Sequence, residues 1–313
     1  MSNISKICGM IFFSLTALSG CSFGTVKAPE AVRIEPQYTE EELAAMRREE
    51  ELVPILDEAA GLAKGYYYDE ALACLSRVPD EFSEDPEVTE AAASYAAAKD
   101  AFVPYEQPVR HIFFHSLIVD TDLAFDGDYM ENGYNYWMTT VDEFRAILEE
   151  LYANQYILID IHDLNDVQTA KDGTVTLVPS APMVPEGKIP LVLSVDDVNY
   201  YDYMKTDGFA RNLMLDEEGN VKNLYIDENG QETVGDYDVV PILDAFVEEH
   251  PDFSLRGAKG LLALTGYEGA LGYRTNDPEN PNLEQDKETV RSVAARLKET
   301  GWQFACHGYG HKH

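Results

Sequence analysis

Cysteine is scarce in this chain, with 4 residues in 313, which excludes a disulfide framework as the source of its stability. Basic side chains are also few: 23 Lys and Arg stand against 57 Asp and Glu, a formal net charge of −34. Nucleic-acid binding draws most of its affinity from Lys and Arg neutralising phosphates, so no nucleic-acid partner is expected. The same charge disfavours anionic headgroups and anionic wall polymers, and leaves neutral partners and multivalent cations. Near the amino end, the apolar run from Ile7 to Leu18 behind Lys6 is too short to cross about 30 Å of hydrocarbon as a helix. It reads as the core of a secretion signal. What remains is ordinary, at 45% hydrophobic and 26% charged, and suits a globular protein with a substantial core.

The signal ends in Leu18-Ser19-Gly20-Cys21, which resembles the lipobox of bacterial lipoproteins. That resemblance implies that Cys21 becomes the first mature residue and carries the lipid. The chain is then expected to be exported and held on the outer face of the bacterial cell membrane by this anchor alone. Cys8 is removed with the leader, and Cys74 and Cys306 are expected to be buried thiols.

Behind a 1–20 signal peptide, residues 21–38 carry Pro29 and Pro36 with little apolar periodicity and read as a tether. Residues 39–104 read as a helical module. Leu52, Ile55, Leu56, Ala59, Ala60 and Ala63 recur at helical spacing, Ala71, Leu72, Leu75 and Val78 make a second stripe, and Asp85-Pro86 opens a third helix. Its Tyr66–Leu75 part faintly resembles a tetratricopeptide-like helix pair.

After Pro108 the pattern alternates strand and helix. Strands are expected at Ile112–Val119, Tyr156–Ile161, Pro190–Val195, Leu261–Thr265 and Gln303–Cys306. Helices are expected after the capping box Thr140–Glu143, at Val239–Glu249 and at Gln285–Thr300, with Gly301 as the stop. Turns at Glu217–Asn220 and Asp227–Gly230 predict a β-hairpin insertion between Phe209 and Thr233. Alternation of this kind implies a parallel sheet or barrel with helices outside.

The apolar strand Leu191–Val195 runs straight into Asp196-Asp197, and Trp302–Cys306 runs into His307-Gly-Tyr-Gly-His311. Active sites of parallel α/β folds gather where strands end, so one topological rule is expected to bring these four side chains together. Two His at i and i+4 lie on one helical face, and two His with one carboxylate and an open position have the composition of a catalytic zinc centre. Tyr267, Tyr273 and Arg274 follow another strand and are weaker candidates for stacking on sugar rings. Asp120, Asp122, His162 and Asp163 also follow strands, where caps and turns explain them. His115 reads as a core residue within its strand, and alternation points Cys306 away from His307.

Ser194-Val-Asp196-Asp197, followed by His307-x-x-x-His311, resembles the first two motifs of the NodB-type polysaccharide deacetylases over roughly residues 108–313. The resemblance implies that Asp196 is the general base and that Asp197, His307 and His311 hold a divalent metal, zinc by the composition of the set. It also implies an acetylated glycan as substrate, the acetyl group leaving from nitrogen or oxygen.

The chain departs from the family in several places. Val195 and Val198 stand where Phe and Gly are usual, and Gly308 where Ser or Thr is usual. The later motifs, with an orienting Arg, an aromatic wall and a His acid, do not follow before His313. The expected fold class is therefore α/β: an incomplete irregular (β/α) barrel with a hairpin insertion behind a small all-helical module. Little turnover is expected of this chain alone. The expected function is polysaccharide deacetylation, with a non-catalytic glycan-binding surface lipoprotein as the alternative and a docking protein, recruiting partners through its helical module, as a third.

Overall fold

A computed structural model describes residues 38–310. The chain divides at Leu43/Ala44, and of the part before the division only the opening turn of α1 (Glu40–Arg47) is described. In the unit that follows, a short π-helical stretch at Arg48–Leu52 leads into α2 (Val53–Lys64), α3 (Tyr68–Leu75) and α4 (Pro86–Asp100). Asp85 caps α4 as its sequence suggests, accepting a hydrogen bond from the Glu87 amide at 2.9 Å. Ala59, Cys74 and Leu75 form the small core of these helices. The helices also touch the rest of the fold: the Tyr66 hydroxyl donates to the Asp252 carbonyl, and the Arg256 amide donates to the Gly65 carbonyl.

Strands and helices then alternate. In chain order they are β1 (Phe102–Pro104), β2 (Arg110–Phe114), α5 (Thr121–Ala124), α6 (Glu131–Trp137), α7 (Val141–Ala153) and β3 (Tyr156–Leu158). Next come β4 (Asn165–Thr169), β5 (Val175–Pro179), β6 (Met183–Pro185) and β7 (Ile189–Asp197). The remainder is β8 (Asn212–Leu215), β9 (Val221–Ile226), β10 (Glu232–Gly235), α8 (Val239–Glu249), β11 (Leu261–Leu264), α9 (Leu283–Glu299) and β12 (Gln303–Cys306).

The fold is mixed α/β, and its central sheet is parallel among the described residues. Strand β7 is the hub: it pairs with β2 over Leu191–Val195, with β3 over Ile189–Leu191 and with β11 over Ser194–Asp197. Strand β12 extends the sheet beyond β11, so β2 and β12 are its outermost strands. The sheet is open.

One face carries the main core, where Phe114, Leu191, Leu193, Val195, Leu262 and Trp302 pack with Phe144 and Leu148 of α7 and Leu243 and Phe246 of α8. Thr140 and Glu143 form the reciprocal capping box that starts α7, and Gly301 ends the segment after α9 at φ 96°, where a Cβ would lie 1.8 Å from the Gly257 carbonyl oxygen.

Several details differ from sequence-based expectation. The predicted strand Ile112–Val119 stops at Phe114, because Ser116 and Leu117 turn to meet Asp238. The predicted hairpin insertion is present and gains a third strand, in the order β10-β9-β8. The antiparallel β4–β5 pair, with exposed Val167, Val175 and Leu177, was not expected, although Asp172-Gly173 between the strands and the alternation Val175-Thr176-Leu177 are hairpin signals. Cys74 is buried, as expected, but Cys306 is exposed, because it ends a strand that is outermost among the described residues. No described helix is long and apolar enough to cross a membrane. The secretion signal, Cys21 and the tether lie outside the described residues, apart from Tyr38 at the end of the tether.

Candidate active site

Register determines the layout of the site. Asp196 of β7 lies abreast of Ala263 of β11, which lies abreast of Ala305 of β12; Asp197, Leu264 and Cys306 form the next row. Side chains alternate along a strand, so Ser194 and Asp196 share the face opposite the main core with Ala263, Ala305 and His307. The His307 amide donates to the Leu264 carbonyl at 2.9 Å, which prolongs the β12–β11 ladder by one bond and directs the imidazole back over this face. Its Nε2 comes to 3.7 Å from Asp196 Oδ2, with the Asp196 side chain 16% and the His307 side chain 34% exposed. Of the four side chains expected to meet at the strand ends, Asp196 and His307 approach each other.

Asp197 ends β7 in a different setting. Its φ is 69°, and Val198 and Tyr200 are also left-handed, at 47° and 49°. A β-branched residue with positive φ is strained, and such strain gathers at functional turns. The turn is held from two sides: the Val198 amide donates to the Asp196 carbonyl at 2.9 Å, and the Val198 carbonyl accepts from the Leu271 amide at 3.0 Å. Beyond it lies Tyr201, whose phenol is pushed up to about 12, chiefly by burial and then by the nearby Asp197 and Glu268 carboxylates. Tyr203 is raised to about 12 by burial, then by Tyr201 and Asp197.

The expected i, i+4 helical geometry of His307 and His311 does not form over the described part of the segment. Gly308 and Gly310 have φ values of 79° and 58°, so the chain turns instead of continuing as a right-handed helix. His311 itself lies outside the described residues. Among the described residues, no three His, Cys, Asp or Glu side chains gather into a group that could hold a metal ion. Carboxylate and imidazole are fitting donors for a zinc-like cation; Asp197 ends β7 and His307 follows β12, with β11 between them.

The weaker candidates separate. Tyr267 is 41% exposed on the rim, its ring 5.9 Å from Tyr309 and 6.4 Å from Tyr201. Tyr201 in turn stacks on Tyr203 at 5.5 Å with only 13° between the planes. Tyr273 is half-buried and packs against the main core. Arg274 serves as a clasp: Nη1 donates to the Asn199 and Glu268 carbonyls, Nη2 to the Tyr200 carbonyl and Asp202 Oδ1, and Nε to Asp202 Oδ1. It ties the loop after β7 to the loop after β11. Asp120 caps α5, His162 lies 2.7 Å from Asp160, and His115 sits one residue beyond β2 with its ring against Phe113.

Residues that the sequence did not single out also shape the site. Asn199 is fully buried and donates from Nδ2 to Thr265 Oγ1 at 2.6 Å and to the Tyr267 carbonyl. Asp238 is buried beneath the rim, accepting from the Leu117 amide at 3.0 Å and the Val239 amide at 2.8 Å. Burial pushes its carboxyl up to about 6, against hydrogen bonds from Tyr200, Val239, Leu117 and Ser116 that pull it down. Ser194 was legible in principle, as a lone hydroxyl in an apolar strand and in phase with Asp196.

No protein-family model matches the chain, and neither a curated protein nor a solved structure matches it significantly.

Proposed function

We propose that this rim belongs to a metal-dependent hydrolase that removes acetyl groups from a polysaccharide, as the motif resemblance implies, built on an incomplete irregular barrel and displayed at the membrane through lipid on Cys21. The observation that carries the reading is the approach of Asp196 to His307, far apart in sequence, at 3.7 Å on one face of parallel strand ends. Asp197, His307 and His311 are the residues that would hold the cation. Such a cation lowers the pKa of a bound water to about 7 and polarises the acyl carbonyl.

The part of Asp196 is to accept the proton of the attacking water through Oδ2, the oxygen that faces His307, while Ser194 holds Oδ1 at 3.4 Å. The tyrosines of the rim offer flat apolar faces to a pyranose ring, and the acidic surface suits a neutral or partly de-acetylated glycan better than an anionic one. The test uses the full-length protein, acetylated chito-oligosaccharides and a zinc titration. One tightly held zinc per chain and slow acetate release, in keeping with the low turnover expected of the chain alone, are expected, and Asp196→Asn should lower release by roughly a hundredfold or more with zinc still bound. Absence of stoichiometric zinc, or full activity in the variant, removes the reading.

The chain of tyrosines from Tyr203 through Tyr201 and Tyr267 to Tyr309 favours a second reading, a glycan-binding lipoprotein without catalysis. In that case Tyr203→Ala weakens glycan binding while Asp196→Asn leaves it unchanged, and no acetate appears.

A further inference from the structure

Strand β7 is apolar from Leu191 to Val195 apart from Ser194, which is 6% exposed. A buried hydroxyl carries one hydrogen to give and lone pairs to receive, and it is costly there unless both are used. Ser194 Oγ has two partners on the same face of the sheet. On one side it lies 2.9 Å from His111 Nε2 of β2; on the other it donates to Asp196 Oδ1 at 3.4 Å. A carboxylate oxygen can only accept, so the single hydroxyl hydrogen points to Asp196. With that hydrogen given to Asp196, His111 Nε2 is the donor into Ser194 Oγ, which fixes its tautomer; the opposite tautomer would instead accept from Ser194. The line continues beyond Asp196, whose other oxygen faces His307. All four side chains line one cavity of about 460 Å³, floored by Ala263 and Ala305.

We infer that His111 is a positioning residue: by donating Nε2–H to Ser194 it turns the serine hydroxyl toward Asp196, so that Oδ1 is engaged and Oδ2 is the oxygen presented to the cavity. Without His111 the Ser194 hydroxyl is free to rotate away from Asp196, and Oδ1 loses the bond that engages it. The 3.4 Å bond is near the outer limit for a hydroxyl donor, so it steers the carboxylate more than it locks it. His111 touches neither the reacting atoms nor the residues proposed to hold the cation; it acts through Ser194. The catalytic consequence rests on the function proposed above, whereas the hydrogen-bond direction does not.

The test has two arms. In the first, ¹⁵N NMR of the imidazoles reads the tautomer directly. The neutral His111 ring is expected to carry its hydrogen on Nε2, and Ser194→Ala is expected to erase that preference. A ring protonated on Nδ1 alone, or a preference unchanged in Ser194→Ala, overturns the inference, because the serine would then donate to His111 or not matter to it. In the second arm, acetate release by the full-length protein is compared for His111→Phe and His111→Gln. Because His111 is exposed on an outermost strand, neither change should disturb the core. His111→Phe should lower kcat roughly tenfold with KM little changed, and His111→Gln, whose amide can still donate, should restore most of it. Equal kcat in wild type and His111→Phe refutes the positioning role. If the wild type releases no acetate while the tautomer is as expected, the deacetylase reading fails and the positioning of Asp196 stands.

Discussion

The two faces of the parallel sheet are made of alternate residues of the same strands, and toward the strand ends their chemistry diverges. On one face Phe114, Leu191, Leu193, Val195 and Leu262 are at most 7% exposed and packed under α7 and α8. On the other, Phe113 is 52% exposed, and His111, Ser194, Asp196 and His307 form a polar line beside small alanines. A step of one residue separates stability from chemistry. The covered face is dense along the whole strand, whereas the opposite face is polar and small only toward the strand ends; further back its Val192 and Ile157 are buried in a second apolar cluster.

The largest break in this comparison should come from Trp302→Ala. Trp302 is buried on the covered side, and its indole N–H donates to Asp244 Oδ1 at 2.8 Å. Removing it leaves a cavity and an unmatched acceptor, and should destabilise the protein by about 3–5 kcal/mol in urea unfolding. A loss below about 1 kcal/mol would mean that this face is not a packed core.

Asp238 gives the next effect, and it has a sign. Its carboxyl stands at about 6 in the folded protein against an ordinary 3.8, so the folded state binds more protons between those values. Its contribution to stability is complete below about pH 4 and is lost as pH rises through about 6, by roughly 2–3 kcal/mol. Asp238→Asn should remove that slope, so urea midpoints of wild type and variant should converge or cross as pH rises from 4 to 7. Parallel curves would show that the buried carboxyl does not titrate in this window.

Arg274→Lys should be milder. A lysine cannot reproduce the fork that joins the Asn199, Tyr200 and Glu268 carbonyls, and the loss should be about 1–2 kcal/mol. Faster proteolysis within the loop after β7 should accompany it, and an unchanged cleavage rate would show that the clasp is dispensable.

The smallest effect sharpens the comparison most directly. Phe113→Ala should change stability by no more than about 0.5 kcal/mol, whereas Phe114→Ala, one residue on, should lose about 3 kcal/mol or more. Similar losses for both would erase the distinction between the faces.

Much of this was legible along the chain. The capping box at Thr140, the Asp85-Pro86 helix start and the two turns of the inserted hairpin follow from local backbone chemistry that needs no tertiary partner. The meeting of Asp196 with His307 followed from a topological rule about strand ends. The early end of β2 was not legible, because it depends on Asp238, far along the chain, capturing the Leu117 amide. Arg274 looked like a ligand-binding residue because a basic group after a strand can reach a rim; only the folded loops brought five acceptor contacts around it. The turn at Gly308 and Gly310 was signalled by the glycines themselves, but the i, i+4 spacing of the histidines drew attention away from them.

By itself the sequence determined the alternation of strand and helix and the residues able to take protons or hold a cation. These depend on periodicity and on side-chain chemistry, which are local properties. The tertiary structure alone decided which rows came abreast, which face stayed open, and that His111 and Ser194 stand in line with Asp196. Hydrogen bonds between strands distant in sequence set that register, and no single stretch of chain contains the information for it.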